Sequence, residues 1–123
     1  MEVLNIQPTR DTPEVVLNKS KGVFLIAGNS FPEDPFSIYG RVVSWLKEYE
    51  KEPNKETIFE FKLNYINTAT SKYIYEVLNI LEVLDNISAV KVLWYYQKDD
   101  DDTYNEGVEL SQMISLSFDF VEF

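Results

Sequence analysis

The sequence predicts an α/β fold: one α/β sandwich with a mixed, mostly parallel sheet, an N-terminal β-hairpin and about three helices. Stretches with apolar residues at three- and four-residue steps alternate with β-branched and aromatic stretches of period two. Strands that alternate with helices are joined by right-handed crossovers, which makes neighbouring strands parallel. The length of 123 residues fits a single domain, 1–123, and the 45% hydrophobic content is enough for a core.

The chain opens with short strands. Val3–Ile6 alternates like an edge strand, and Glu14–Asn18 and Val23–Ala27 flank a polar turn that contains Gly22. This spacing predicts a hairpin, because Gly22 adopts the positive φ of a tight turn without strain. The next residues, 27–34, are expected to form a loop.

The first helix is predicted over residues 35–52. Asp34 suits the N-cap position and Pro35 suits the first helical position. Pro53 ends the pattern. The expected apolar face carries Phe36, Tyr39, Val42, Val43, Leu46 and Tyr49.

The rest of the chain repeats the strand–helix order. Glu56–Ile66 has period two, a helix follows over about 69–86, and Val90–Tyr96 is apolar nearly throughout, as in a strand covered on both faces. A third helix over about 103–114 and a closing strand over 116–121 complete the fold. One face of the first of these strands is expected to carry Thr57, Phe59, Phe61, Leu63 and Tyr65.

Composition and charge exclude several classes of function. Eleven basic and 21 acidic residues give a net charge of −10, which repels nucleic acid and anionic membranes. The absence of cysteine and histidine removes zinc–thiolate sites, cysteine nucleophiles and the commonest general base, so we do not expect an enzyme. No basic and apolar leader and no apolar run of about 20 residues occur, so the cytoplasm is the expected location.

The acidic and glycine-containing loops match no cofactor or metal motif. Counted from Asp99, an EF-hand would need Gly at the position of Tyr104 and Glu at the position of Leu110. Neither GxGxxG nor GxxxxGKS/T occurs in the chain. We therefore predict no cofactor and no metal.

The predicted topology brings three loops to one edge of the sheet. If the strands over 23–27, 58–66 and 90–96 are parallel neighbours, the loops 28–34 and 67–71 and the acidic loop Lys98–Asp102 follow their carboxyl ends. Open α/β sheets usually place their sites at this edge.

The loop before the second helix is unusually rich in polar side chains, with Asn67, Thr68, Thr70 and Ser71 in five positions. Thr68 stands at or just before the helix amino end, where free backbone N–H groups and the helix dipole favour an anion. The position favours an N-cap hydroxyl, worth about 1 kcal/mol, and it also tolerates a phosphorylated threonine. The residue pattern alone leaves both interpretations open.

The run Tyr65–Lys72 resembles the motif of the SiaC-like regulatory phosphoproteins, in which an aromatic and a large apolar residue precede Asn-Thr-Ser-Ser. Three further segments fit the same family in order: Thr9–Val15, Gly28–Asp34 and Val92–Tyr96. Ala69 departs from the usual serine, which leaves Thr70 and Ser71 as the other candidate acceptors.

This family is similar to the STAS-domain anti-sigma-factor antagonists in fold and in acting as a partner switch. The resemblance implies a non-enzymatic bacterial partner switch, phosphorylated on Thr68 by a protein kinase and dephosphorylated by a PP2C-type phosphatase. It also implies that the unphosphorylated form binds an effector such as a diguanylate cyclase, and so acts on cyclic-di-GMP and biofilm growth. The residues flanking the phosphosite are Asn67, Ala69, Thr70, Ser71 and Lys72, and the candidate partner contacts are Ser30, Phe31, Glu33, Asp34 and Glu76.

We expect phosphorylation to release the partner, because a phosphate adds about 1.5–2 negative charges to an already acidic protein. A loss of about 2–3 kcal/mol would weaken binding by roughly 30- to 150-fold. The alternative is a constitutive structural adaptor that uses its apolar faces to oligomerise, with Thr68 only as a helix cap.

Overall fold

The computed structural model describes all 123 residues and has the predicted order of elements. The strands form one six-stranded sheet in the order β1-β2-β3-β4-β5-β6. The elements are β1 Leu4–Ile6, β2 Glu14–Asn18, β3 Val23–Ser30, α1 Phe36–Tyr49, β4 Glu56–Ile66, α2 Thr68–Leu84, β5 Ala89–Tyr96, α3 Asp101–Met113 and β6 Ser117–Glu122.

The sheet is mixed and mostly parallel, as predicted. The pairs β1–β2 and β2–β3 are antiparallel, and the pairs β3–β4, β4–β5 and β5–β6 are parallel. Gly22 has φ +65° in the turn of the β2–β3 hairpin, which confirms the reason for expecting glycine there.

The parallel strands are added in one direction only, and this fixes the position of the helices. Right-handed crossovers that always step the same way place every helix on the same face of the sheet. Phe24 of β3 contacts Trp45 of α1, and Trp94 of β5 donates a hydrogen bond from Nε1 to the Thr103 carbonyl of α3 at 2.9 Å. Phe24, Phe59, Phe61 and Trp94 form a continuous aromatic row beneath the helices.

The opposite face of the sheet is open, so the expectation that β5 is covered on both faces is wrong. Leu93 and Tyr95 point to the open face and are only half-buried. Long neighbouring side chains shield them: Tyr95 donates a hydrogen bond to Glu60 at 2.8 Å, and Lys62 Nζ lies 5.4 Å from the Tyr95 ring centroid. An apolar strand sequence therefore does not by itself distinguish full burial under helices from partial burial under the aliphatic parts of lysine and glutamate side chains.

The start of α1 also differs from the prediction. The helix begins at Phe36, and the Asp34 carboxylate makes no cap; the Asp34 carbonyl accepts from Ser37 N–H at 3.2 Å and from Ser37 Oγ at 2.7 Å. Phe36 is 65% exposed, because its ring lies over Gly40 on the outer side of the helix. Ile38 takes a place in the core face instead.

The carboxyl ends of β3 and β4 also differ from the prediction. Gly28–Ser30 continue β3 past a register shift, with Gly28 at φ +96°, although these residues were expected to form a loop. Tyr65, expected on the same face of β4 as Phe59 and Phe61, is 57% exposed and packs edge-on against Phe31 with ring centroids 5.3 Å apart. None of the three helices combines the length and the hydropathy needed to cross a membrane.

Candidate functional site

A groove opens at the carboxyl edge of the sheet between α2 and α3. The carboxyl ends of β3, β4 and β5 lie together there, because the three strands are adjacent and parallel as predicted. Helix α1 packs against α2, whereas α2 and α3 stand apart and enclose about 590 Å³. We call this space the α2–α3 groove; it is lined by Asn64–Thr68, Ser71, Lys72 and Tyr75 on one side and by Asp100, Asp102, Thr103, Glu106, Glu109, Leu110 and Met113 on the other.

Asn67, and not Thr68, caps α2. The Asn67 side chain accepts a hydrogen bond from Thr70 N–H at 2.9 Å, and its backbone is extended at φ −94° and ψ 173°. Thr68 is the first helical residue. The interpretation of the Thr68 hydroxyl as the cap is therefore wrong, because the preceding asparagine is at least as good an N-cap and already fills the position.

The three hydroxyls that follow Asn67 differ in accessibility. The Thr68 side chain is exposed, and its hydroxyl makes no hydrogen bond within the protein. Thr70 is fully buried and donates to the Ser30 carbonyl at 2.8 Å. Ser71 is half-buried, with a long 3.4 Å hydrogen bond from Oγ to the Asn67 carbonyl. Thr68 thus presents the most accessible hydroxyl of this segment.

A buried hydroxyl network holds the first turn of α2 from beneath. Ser30 Oγ lies 2.7 Å from Tyr39 Oη and 3.0 Å from Thr70 Oγ1, and Asn67 N–H donates to the Ser30 carbonyl at 3.2 Å. Burial raises the pKa of Tyr39 to about 12, although the Ser30 hydrogen bond acts in the opposite direction. Ser30 was expected to contact a partner, but the structure places its side chain in the core, where it anchors α2.

The other candidate partner contacts are distributed around the edge and do not line the groove. Glu33 and Asp34 are exposed on the loop before α1, and Phe31 is half-buried beside Tyr65. Glu76 is exposed two turns into α2. The structure therefore brings Thr68 and Lys72 together with Asp100 and Asp102 of the acidic loop. It does not bring the predicted partner contacts into the same groove.

The charge on the two walls of the groove is unequal. Asp102, Glu106 and Glu109 follow each other at four and three residues along α3, which places them on one stripe of the helix. Lys72 is the only basic residue of the lining. The acidic loop was predicted from the sequence but Glu106 and Glu109 were not, although their helical spacing from Asp102 could have revealed them.

The amino end of α2 is chemically suited to a phosphoryl group on Thr68. The unpaired N–H groups of the first helical turn and the helix dipole favour negative charge there. Lys72 lies four residues further along the helix, the spacing at which an acidic group and a lysine attract each other. No group of three or more Asp or Glu side chains is arranged to hold a metal ion.

Residues 6–123 match the model of the SiaC family of regulatory phosphoproteins. The chain belongs to this family. The resemblance noted on Tyr65–Lys72 is thereby confirmed at the level of the family.

Members of the SiaC family from Pseudomonas aeruginosa provide the structural comparison. The crystal structure of apo-SiaC is 24% identical, with a TM-score of 0.88 over 98% of this chain and 99% of that one. The structure of the diguanylate cyclase SiaD in complex with its activator SiaC gives 22% identity and a TM-score of 0.90, again over 98% and 99%. Both show the same fold.

A relative known from sequence also matches over nearly its whole length. It is an uncharacterised protein of Pseudomonas aeruginosa strain UCBPP-PA14, 24% identical over 119 residues, which are 96% of this chain and 94% of the relative. Nearly the whole of both chains is therefore comparable.

Proposed function

We propose that residues 1–123 act as one non-enzymatic domain, a cytoplasmic bacterial partner switch controlled by reversible phosphorylation of Thr68. A protein kinase adds the phosphate and a PP2C-type phosphatase removes it. The observation that carries this proposal is the contrast within one motif of a family of regulatory phosphoproteins: Thr68 is exposed and unbonded, whereas Thr70 is buried and bonded. A kinase can reach the first hydroxyl without unfolding the helix.

The unphosphorylated form binds and regulates an effector protein, such as a diguanylate cyclase. SiaC of Pseudomonas aeruginosa is described as the activator of the diguanylate cyclase SiaD, and its fold matches that of this chain. The output of the switch is then the level of cyclic-di-GMP and, through it, biofilm growth. The effector docks on the carboxyl edge and buries the neutral Thr68 side chain.

Phosphorylation releases the effector, because the new charge is poorly compensated once a partner covers it. The groove beside Thr68 already contains Asp102, Glu106 and Glu109, and only Lys72 and the helix amino end oppose them. A phosphate of about −1.5 to −2 charge is stable there in contact with water. When water is displaced, the loss of about 2–3 kcal/mol weakens binding by roughly 30- to 150-fold.

Intact-mass analysis of the protein from its native cells tests the modification. We expect a species heavier by one phosphoryl group, which disappears in Thr68→Ala and persists in the control Ser71→Ala. Persistence of that species in Thr68→Ala would place the phosphate on another residue.

Co-purification tests the release. An effector that is retained by Thr68→Ala and lost by Thr68→Glu supports the switch. Equal retention by both variants in all growth states would instead support the constitutive adaptor. The structure removes one reason for the adaptor interpretation, since the capping role assigned there to Thr68 belongs to Asn67.

A further inference from the structure

We propose that the outer face of α1 binds the same face of a second copy of this chain, with the two helices antiparallel. In this dimer Arg41 of each copy meets Glu48 of the other, and Phe36 of each copy covers the end of the other α1. The interface goes beyond the proposed function, since it uses neither Thr68 nor the α2–α3 groove.

The α1 outer face consists of small and charged side chains with one aromatic ring. It is formed by Phe36, Ser37, Gly40, Arg41, Ser44 and Glu48, which border a shallow depression beside Trp45. All six are exposed except Gly40, which is half-buried. Ser37, Gly40 and Ser44 follow each other at three and four residues, so the middle of the face is low and lets a second helix approach closely.

Phe36 is the largest apolar side chain of this face and is 65% exposed. A methyl group added at Gly40 would stand 3.0 Å from the Phe36 ring, so the glycine allows the ring to lie close against the helix. Phe36 begins α1, and in an antiparallel pair it therefore lies opposite the end of the other α1. There the aliphatic part of Lys51 and the ring of Pro53 can cover it and remove its apolar surface from water.

The distribution of charge explains why a second copy is accepted on this side of the molecule. The net charge is −10, so two copies repel each other over most of their surfaces. Residues 36–52 are balanced, with three basic and three acidic side chains, whereas α3 has four acidic side chains and no basic one. The repulsion between two copies is therefore weaker when α1 faces α1 than when α3 faces α3.

Arg41 and Glu48 give the α1 outer face a charge pattern that is complementary to itself. They are seven residues apart, or about 10 Å along the helix, which is too far for them to pair within one chain. Arg41 takes part in none of the ion pairs of the structure, and Glu48 pairs only with the exposed Lys51, at 3.0 Å. A two-fold axis between residues 44 and 45 places Arg41 of one copy opposite Glu48 of the other, and does so twice per dimer.

The dimer is expected to be weak and to leave the candidate phosphosite open. Helix α1 has 14 residues and is about 21 Å long, so contact along one of its faces stays below the roughly 800 Å² per partner of a standard interface. The α2–α3 groove and the α1 outer face share no residue. Because the helices are antiparallel, the carboxyl edges of the two copies lie at opposite ends of the dimer, and each Thr68 stays accessible.

Sedimentation velocity at about 0.15 M salt tests the interface, because a Debye length of about 8 Å suppresses the general repulsion between copies. We expect the wild-type protein to pass from monomer to dimer between about 5 and 500 μM. Arg41→Glu and Glu48→Arg should each weaken dimerisation at least about tenfold, since each creates two like-charge contacts per dimer. Phe36→Ala should weaken it at least about threefold.

An equimolar mixture of Arg41→Glu and Glu48→Arg is the decisive sample. In a mixed dimer both contacts again join opposite charges, so association should return to within about threefold of wild type. The double variant, which exchanges the two charges within one chain, should dimerise alone. The controls Lys98→Glu and Glu122→Arg make the same changes in charge at exposed residues away from α1, and each should change dimerisation by less than about twofold.

A wild-type protein that stays monomeric at about 500 μM would overturn the proposal. So would dimers that persist in both single variants, or a mixture and a double variant that both stay monomeric. Thr68→Glu should dimerise as wild type does, and a loss of dimer in this variant would contradict an interface separate from the phosphosite. Whether Thr68→Glu retains an effector bears only on the proposed function, so the two proposals fail independently.

Discussion

The helix layer is held at its two ends by similar networks of buried hydroxyls, each starting from a tyrosine of α1. At the carboxyl edge, Tyr39 meets Ser30, which in turn meets Thr70. At the amino edge, Tyr49 Oη lies 2.8 Å from Thr57 Oγ1, which lies 2.8 Å from Ser88 Oγ. Both networks join α1 to a strand and to a further segment of the chain.

The two networks differ in what they anchor. The amino-edge network ends on loop backbone, since Ser88 Oγ donates to the Asn54 carbonyl at 2.8 Å and Asn54 N–H donates to Tyr49 Oη at 3.0 Å. The carboxyl-edge network ends in the first turn of α2, two residues from Thr68. The amino-edge network fixes the loop between α1 and β4, and the carboxyl-edge network supports the candidate phosphosite. The exposed threonine therefore stands on a rigid base, which favours a switch that acts at the surface and leaves the helix folded.

The largest expected difference between the two ends appears at alkaline pH. Burial raises the pKa of Tyr39 from 10.0 to about 12, so the folded protein holds this proton more tightly than the unfolded chain. The resulting stabilisation is complete below pH 10 and is lost as the pH rises toward 12, by about 3 kcal/mol. Urea unfolding at pH 9 to 12 should therefore show a steeper loss of stability in wild type than in Tyr39→Phe.

The variant Tyr49→Phe is the control, because it removes the corresponding tyrosine of the amino edge and retains Tyr39. Lysines and other tyrosines also titrate in this range, so the difference between variants carries the information. Equal slopes for wild type and Tyr39→Phe would contradict the assignment.

A second comparison removes one hydroxyl from each network. Thr70→Val and Thr57→Val keep the shape of the side chain and should each lower the free energy of unfolding by about 1–3 kcal/mol, because buried partners lose a hydrogen bond. Native-state hydrogen exchange should separate them: only Thr70→Val is expected to speed exchange of the amides in the first turn of α2. Faster exchange there in Thr57→Val as well would show that the two ends are not independent.

The smallest effects concern the phosphosite itself. Asn67→Ala should lower stability by about 1 kcal/mol, since it removes the N-cap hydrogen bond to Thr70 N–H. Thr68→Ala should stay within about 0.5 kcal/mol of wild type, because the exposed hydroxyl has no partner in the protein. Thermal unfolding distinguishes the two variants. A large loss of stability in Thr68→Ala would restore the capping role to that residue.

The order of strands and helices was predictable from the sequence because it depends on local periodicity. The alternation in Glu56–Ile66 and the three- and four-residue steps in α1 and α2 are set by which side chains face the core. The predicted convergence of strand ends followed from the right-handed crossover rule. These features required no knowledge of which side chains meet.

The errors occurred where a distant residue decides the outcome. Ser30 was expected at the surface, but its hydroxyl pairs with residues nine and 40 positions away. Phe36 lies on the outer side of α1 over Gly40, and Tyr65 follows the register shift between β3 and β4, so neither ring reaches the helix-covered core. The groove is a property of the gap between two helices, and no spacing within one helix predicts it.

The contact between α3 and the sheet sets the depth of the α2–α3 groove from below. A methyl group added at Gly107 would stand 2.4 Å from the Trp94 ring, so α3 rests on the indole with no side chain between them. The indole is also hydrogen-bonded to the Thr103 carbonyl, one turn earlier. The position of the acidic wall thus depends on a glycine and a tryptophan that line no part of the groove themselves, so substitutions at these two positions would change the shape of the groove while every residue of its lining stays the same.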